Sequence, residues 1–318
     1  MQLNVTPAIM QNKPKNMKDK IVKIVLLSFT LLSSSFIFIV AGTILLKGIT
    51  PFITQNLGLG KVSLISFLTG DTWLIGEAFQ SNLYSVGFII VSTLMIALLS
   101  LLVSFPIGVL TALFIAKVAP KRLANILRTV IELLASIPSI IYGLFGAGII
   151  LNLVYNLSAA FGYQSKGGNS MLASVLVLAI MTIPTITSIS EVAIRSVDKK
   201  LEEGSLALGA SKTQTHFKVV LFAAKSGIFT SAILGIGRAL GEATAVSLVA
   251  GGRRSGYSFD LLDTTSTLTT IMLEGMKETT GLDYDIRFSV GIVLIVVIIL
   301  TNLILNWIKR KVGNVDVK

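Results

Sequence analysis

The sequence predicts an all-α, polytopic membrane protein with six transmembrane helices. Three observations carry this. Of the 318 residues, 53% are hydrophobic and 14% charged, with a mean hydropathy of +0.82; a soluble domain carries about 25% charged residues. Runs free or nearly free of charge occur at 24–46, 84–116, 133–165, 171–190, 226–252 and 288–308, and about 20 apolar residues cross a bilayer core. Six spans put both termini on one side, and the basic residues agree. One face collects 19 of them, in the N-terminus, the loops near 117–128 and 191–225, and the C-terminus; the other collects seven. Lys and Arg concentrate on the cytoplasmic side, so both termini are expected there.

The tail 1–20 is polar and Lys-rich, and 21–310 forms one transmembrane domain followed by a short tail, 311–318. The run from Ile24 to Leu46 has 23 residues. A signal-peptide core has roughly 7–15 and a small-residue cleavage site, so this reads as a retained first span. The second and third runs have 33 residues each, too many for one upright crossing and too few for two with a turn. Each is expected to hold one tilted span plus an interfacial or re-entrant piece. In the third, Pro138, Gly143, Gly146 and Gly148 fit a broken helix packed inside protein. Two outer loops are long, 47–83 and 253–287. The second carries six acids against four bases, as a solvated loop or a docking surface for an external partner. Trp307, at the inner end of the last span, suits an interfacial anchor.

Several function classes fall away. With no cysteine and one histidine, His216, disulfides, thiol chemistry and Cys- or His-based metal sites have no ligands. The +11 net charge follows the membrane spans rather than a nucleic-acid surface. No phosphate loop of the G-x-x-x-x-G-K-[S/T] type is present: "GLGK" at 58–61 has Gln55 where the first glycine belongs. "GIGRALG" misses the dinucleotide fingerprint by one residue and has no strand before it. No Ser-His-Asp order or paired carboxylates stand out. The chain is expected to be no enzyme by itself and to hold no cofactor.

The stretch "GIGRALGEATAVSLVAGG", 235–252, places Arg238 and Glu242 in an otherwise apolar run. Four residues apart, they are expected to share one helical face. Gly237 and Gly241 make a Gly-x-x-x-Gly step beside them, suited to close packing of a second helix. Each charge at mid-bilayer costs about 2.5–3.5 kcal/mol on insertion scales. The pair is either structural glue or part of an anion path. In the second reading the Arg238 fork binds oxyanions bidentately, and Glu242 holds and neutralises it between substrates. Ser136, Pro138, Ser139 and Tyr142 either line the same path with hydroxyls and a helix break or fill the core.

Between Glu191 and Lys225 lies a cytoplasmic loop of 35 residues, expected to be helical, with His216 exposed on it. Composition alone makes it a charged connector. Its segment "EEGSLALGASKTQTHFKVVLF" resembles the EAA loop of ABC-importer permeases. Glu203 takes the Glu place, Gly204 and Ser205 the two alanines, Gly209 the Gly, Val219 the aliphatic and Leu221 the Leu; Phe222 stands where the family has proline. "ELLASIPSIIYGLFG" (132–146), "GSLALGAS" (204–211) and "GRALGEATAVSLVAG" (237–251), in this order, resemble the phosphate-specific ABC-importer permeases, and "FLTGDTW" (67–73) the PstC-type subunits among them. The similarity covers about residues 20 to 310. It implies a type I permease fold and an ATP-driven importer of inorganic phosphate in a bacterial cytoplasmic membrane. The implied partners are a PstA-like second permease, two cytoplasmic PstB-like ATPases that hold ATP and Mg, and an extracytoplasmic PstS-like phosphate-binding protein. It also implies transport roles for Arg238 and Glu242, and ATPase coupling for Glu203, Gly204, Ser205, Gly209, Val219 and Leu221. Rival readings are a permease for sulfate, molybdate or an amino acid, a proton-driven secondary transporter, for which no inverted repeat is visible, and a membrane receptor or scaffold.

Overall fold

The computed structural model describes residues 17–55, 60–74, 83–163 and 165–313. Residues 1–16 and 314–318, most of the two predicted tails, lie outside them, as do Gly58 and Leu59 of "GLGK". The chain divides into two units, 1–46 and 47–318. The first consists of most of helix α1 (Met17–Ile53). Its charge-free stretch is exposed nearly all round, from Ile24 through Phe38 and Leu46, as lipid contact demands. At 1.5 Å per residue, α1 is about 55 Å long, more than a hydrocarbon core of about 30 Å.

The second unit holds the remaining helices: α2 (Leu64–Thr69), α3 (Gly87–Val118), α4 (Lys121–Ser136), α5 (Ser139–Ala160), α6 (Met171–Arg195), α7 (Lys199–Ala207), α8 (Lys212–Ala223), α9 (Lys225–Gly241), α10 (Thr244–Ser247), α11 (Leu268–Leu273) and α12 (Gly281–Gly313). Among the described residues no strand forms; three isolated bridges join loops. Five helices are long and apolar enough to cross a membrane: α1, α3, α5, α6 and α12. A sixth span results if the bent pair α8–α9 is counted as one, which matches the six predicted spans in number and order.

Three expectations change. The second apolar run is one continuous 32-residue helix, α3, with no re-entrant piece. Pro106 lies inside it without ending it, and its last turn widens into a π-helix in which the Ala119 N–H reaches the Phe114 carbonyl at 2.8 Å. The third run does split, at Ile137–Pro138, where extended backbone separates α4 from α5. Gly143 and Gly146 serve close approach instead of a break, while a Cβ at Gly148 would meet nothing within 4 Å. A Cβ at Gly143 would lie 2.8 Å from Leu248 Cδ1 and 2.9 Å from Ala245 Cα, and one at Gly146 would lie 2.6 Å from Val177. The fifth run is not a single helix: α9 stops at Gly241, and Glu242 is extended at φ −82°, ψ 122°.

Helices α3 and α6 form the centre. Gly108 permits their contact, since a Cβ there would sit 2.7 Å from Ile186. Buried Ile96, Tyr142, Val154, Leu178, Met181, Ile236 and Val246 join α3, α5, α6, α9 and α10 in one apolar core. A second core, around Phe67, Trp73, Tyr84, Phe88, Leu268 and Ile286, ties the outer loops to α3 and α12. In this core the "FLTGDTW" stretch buries Trp73 completely and hydrogen-bonds its N–H to the Arg254 carbonyl at 2.8 Å.

The acids of the second outer loop largely bind within the chain. Asp263 pairs with Arg253, Glu274 with Arg254 at 2.5 Å, and Asp283 accepts from the Tyr84 hydroxyl at 2.5 Å. Burial pushes the Asp263 carboxyl up. The Ser258 hydroxyl, the Thr264 N–H and the Arg253 guanidinium outweigh that and hold it below the usual carboxylate range. The loop is therefore a cross-braced cap, with its α11 residues 268–271 buried, rather than a freely solvated segment. At the other end of α12, Trp307 is exposed, with Lys311 Nζ 5.4 Å from its ring centroid.

Candidate substrate path and coupling segment

Helix α9 carries Arg238 three residues before its end, between Gly237 and buried Ala239. The half-buried guanidinium donates from Nη1 to Thr185 Oγ1 on α6 at 2.7 Å. No ion pair joins it to Glu242, so the expected shared face does not form. The reason lies in the backbone. Once α9 ends at Gly241, the next turn has unsatisfied N–H groups, and a carboxylate is drawn to them. Glu242 Oε1 accepts from Ala245 N at 3.0 Å and from Thr244 Oγ1 at 2.8 Å. The Glu242 carbonyl accepts from Thr269 Oγ1 at 2.8 Å. The Gly-x-x-x-Gly step also differs from expectation: a Cβ at Gly237 or Gly241 meets nothing within 4 Å. Among the described residues no helix packs on it.

Of the predicted path hydroxyls, Ser139 joins this site. It shares a 2.8 Å hydrogen bond with Thr244 Oγ1, completing a chain from α5 through Thr244 to Glu242. Ser136 and Tyr142 do other work. Ser136 donates to the Leu133 carbonyl and Tyr142 to the Leu134 carbonyl, each at 2.7 Å. Both satisfy acceptors that the break at Ile137–Pro138 frees at the end of α4. Beside α10 a cavity of about 260 Å³ is lined by Ser247, Ala250, Gly252, Ser266, Thr270, Leu273 and Glu274.

The predicted coupling loop is helical, as α7 and α8. Gly209 has φ +84° and sits just past α7 in a Schellman turn. The Ala210 N–H reaches the Ser205 carbonyl at 3.2 Å and the Gly209 N–H the Leu206 carbonyl at 3.0 Å. Glu203 and Gly204 are exposed, and no side chain or backbone lies within 4 Å of a Cβ built at Gly204. Ser205 shares a 2.9 Å hydrogen bond with Thr215 Oγ1, folding α7 onto α8. A capping box between Ser211 and Gln214 opens α8, which widens to a π-helix over Thr215–Val220. Val219 and Leu221 are half-buried on it. Helix α8 runs through Phe222; the chain bends by 68° two residues later, between Ala223 and Lys225. The turn that proline would force thus occurs without it. His216 is not exposed: its Nε2 lies 3.3 Å from Glu202 Oε1. Lys117 Nζ, 2.6 Å from Glu202 Oε2, holds that carboxyl below its ordinary range, chiefly through its hydrogen bond.

A bent helix pair that follows a helix–glycine–helix segment narrows the comparison with known proteins. Residues 104–314 match the family of binding-protein-dependent transport system inner membrane components. The chain belongs to this family. It is 38% identical over 271 residues to the probable ABC transporter permease protein YqgH of Bacillus subtilis, covering 84% of this chain and 83% of that one. It is 29% identical over 291 residues to the phosphate transport system permease protein PstC 1 of Mycobacterium tuberculosis, covering 82% and 86%. Among solved structures, a chain of a bacterial alginate ABC transporter in complex with a periplasmic protein superposes with a TM-score of 0.65. It is 19% identical and covers 94% of this chain and 97% of that one, a likeness of fold.

This permease is therefore an all-α, multi-pass membrane component of an ABC importer, a transport protein rather than an enzyme. Its sequence did not reveal Thr185 and Thr244 as partners of the Arg238 and Glu242 side chains, or Thr269 as the partner of the Glu242 carbonyl. The available signal was "MTIPTITSIS" (181–190), a span unusually rich in hydroxyls around Pro184.

Proposed function

We propose that this permease is the PstC-like subunit of an importer for inorganic phosphate. It forms the translocation path with a PstA-like permease, receives phosphate from a PstS-like external binding protein, and is driven by two PstB-like ATPases that bind ATP and Mg. The observation that carries this reading is Arg238. It is a half-buried guanidinium in a spanning segment, with one neutral hydrogen-bond partner, Thr185, and no carboxylate on it. Four of its five donors remain for an oxyanion, and planar forks suit phosphate. The open step at Gly237 and Gly241 gives the second permease a close approach beside Arg238. Glu242 acts in this reading by shaping the turn that ends α9 at the arginine, and Ser139 and Thr244 supply hydroxyls along the route. Ser136 and Tyr142 support the path by fixing the break before α5. Binding must stay weak enough for release, and a site of one fork and several hydroxyls meets that condition.

A bacterial strain deprived of this chain should lose ATP-dependent uptake of labelled phosphate and regain it when the chain is returned. Unchanged uptake in the deprived strain, or recovery of sulfate uptake instead, refutes the assignment.

Orientation follows from the basic residues, with both termini cytoplasmic. The chain has no cysteine, so introduced ones report without background. A membrane-impermeant maleimide applied to protoplasts should label Phe259→Cys and not Leu208→Cys, both of which replace well-exposed side chains. The reverse pattern contradicts this orientation.

A further inference from the structure

Two ion clusters meet on the π-helical last turn of α3, Phe114–Val118. On one side Lys117 Nζ binds Glu202 of α7 at 2.6 Å, and His216, on the π-turn of α8, approaches the other oxygen of the same carboxylate. On the other side the Ile115 carbonyl accepts from Arg195 Nη2 at 3.2 Å, while Arg195 and Arg128 both bind Glu191, at 2.7 and 2.6 Å. The Lys117 and Glu202 side chains are only 14% and 22% exposed, so water screens them less than a surface pair. The contact is long-range: Lys117 and Glu202 are 85 residues apart and sit on different elements. Single π turns inside helices frequently mark functional sites, and here one lies at each end of the Lys117–Glu202–His216 contact.

We propose that Lys117, Glu202 and His216 form a joint that fixes the coupling segment to the inner end of α3, so that displacement of α7 is delivered directly to the central helix of the permease. Lys117 and Glu202 are positioning residues and touch no substrate. The inference rests on the transport reading, because a joint of this kind has a task only where α7 is pushed by a partner. Helix α3 packs along α6, which carries Thr185, the partner of Arg238. Movement at the joint therefore reaches the proposed path through packed helices.

The test uses the complete importer in proteoliposomes, with phosphate transported per ATP hydrolysed as the first readout. Lys117→Met and Glu202→Gln should assemble and hydrolyse ATP, yet move at least about fivefold less phosphate per ATP. Lys117→Arg should keep the native ratio. Native ratios in both neutral variants, or an equal loss in Lys117→Arg, overturn the joint. The second readout needs neither transport nor a known substrate. Spin labels at Val118→Cys and Lys200→Cys report the distance between the end of α3 and the start of α7. With Lys117 present, that distance should stay within about 2 Å between nucleotide-free and ATP-bound complexes, and with Lys117→Met it should change by more. The same distances in both backgrounds overturn the proposal. If the native complex moves no phosphate, the substrate assignment fails while the spin-label comparison still decides the joint.

Discussion

Replacing Arg238 by lysine should lower ATP-driven phosphate uptake about tenfold, and replacing it by alanine should lower it further, at matched levels of assembled complex. Lysine keeps a cation but offers a point charge in place of a planar fork. Alanine removes both. A charge-assisted hydrogen bond contributes about 1.5–3 kcal/mol, so losing one in transit accounts for a factor of ten or more. The structure supplies a control that separates binding from packing. The Arg238 guanidinium hydrogen-bonds α6 at Thr185. If its task were to hold α9 against α6, Thr185→Val would cost as much as Arg238→Ala. The account expects Thr185→Val to keep most of the uptake, since the guanidinium remains. Equal losses in the two variants would assign Arg238 to packing.

A second large effect is expected at Gly209. Its φ of +84° closes the Schellman turn between α7 and α8, and an L-residue there costs roughly 1–2 kcal/mol of strain. Among the described residues nothing lies within 4 Å of a Cβ at the position. A side chain there therefore starts into open space, where a docked partner would meet it. Gly209→Asn, which tolerates the left-handed region, should retain most transport. Gly209→Trp should insert into the membrane normally and abolish transport by keeping the ATPase from seating. Uptake that is native in Gly209→Trp would show that α7 and its turn are not the ATPase contact.

The spans were legible because they depend on length and apolarity alone, which is why the six runs fall on five long apolar helices and one bent pair. The boundaries were less so. The largely apolar stretch 226–252 looks like one helix because hydropathy does not register that its carboxylate, Glu242, caps a new turn. Only three-dimensional placement shows Glu242 turned toward Ala245 instead of Arg238. The break in the third run was legible at Pro138, but not the difference in character of the two helices it separates: α4 buries Ala124 and leaves Ile126 and Leu133 exposed. Gly209 was readable, because a glycine just past a short helix has a specific backbone use. Thr185 was not, because a threonine in an apolar span usually bonds its own helix and nothing local distinguishes one that serves another. His216 was misread for the same reason: its partner, Glu202, lies 14 residues earlier on another helix.

The measurement that tests the central claim most directly is ATP-driven uptake of radiolabelled phosphate into proteoliposomes containing this permease, its partner permease, the ATPases and the external binding protein, with excess unlabelled sulfate as competitor. The account predicts phosphate accumulation that requires ATP, persists in excess sulfate, and falls about tenfold in Arg238→Lys. Accumulation of sulfate in place of phosphate, or phosphate uptake at the native rate in Arg238→Lys, would contradict it.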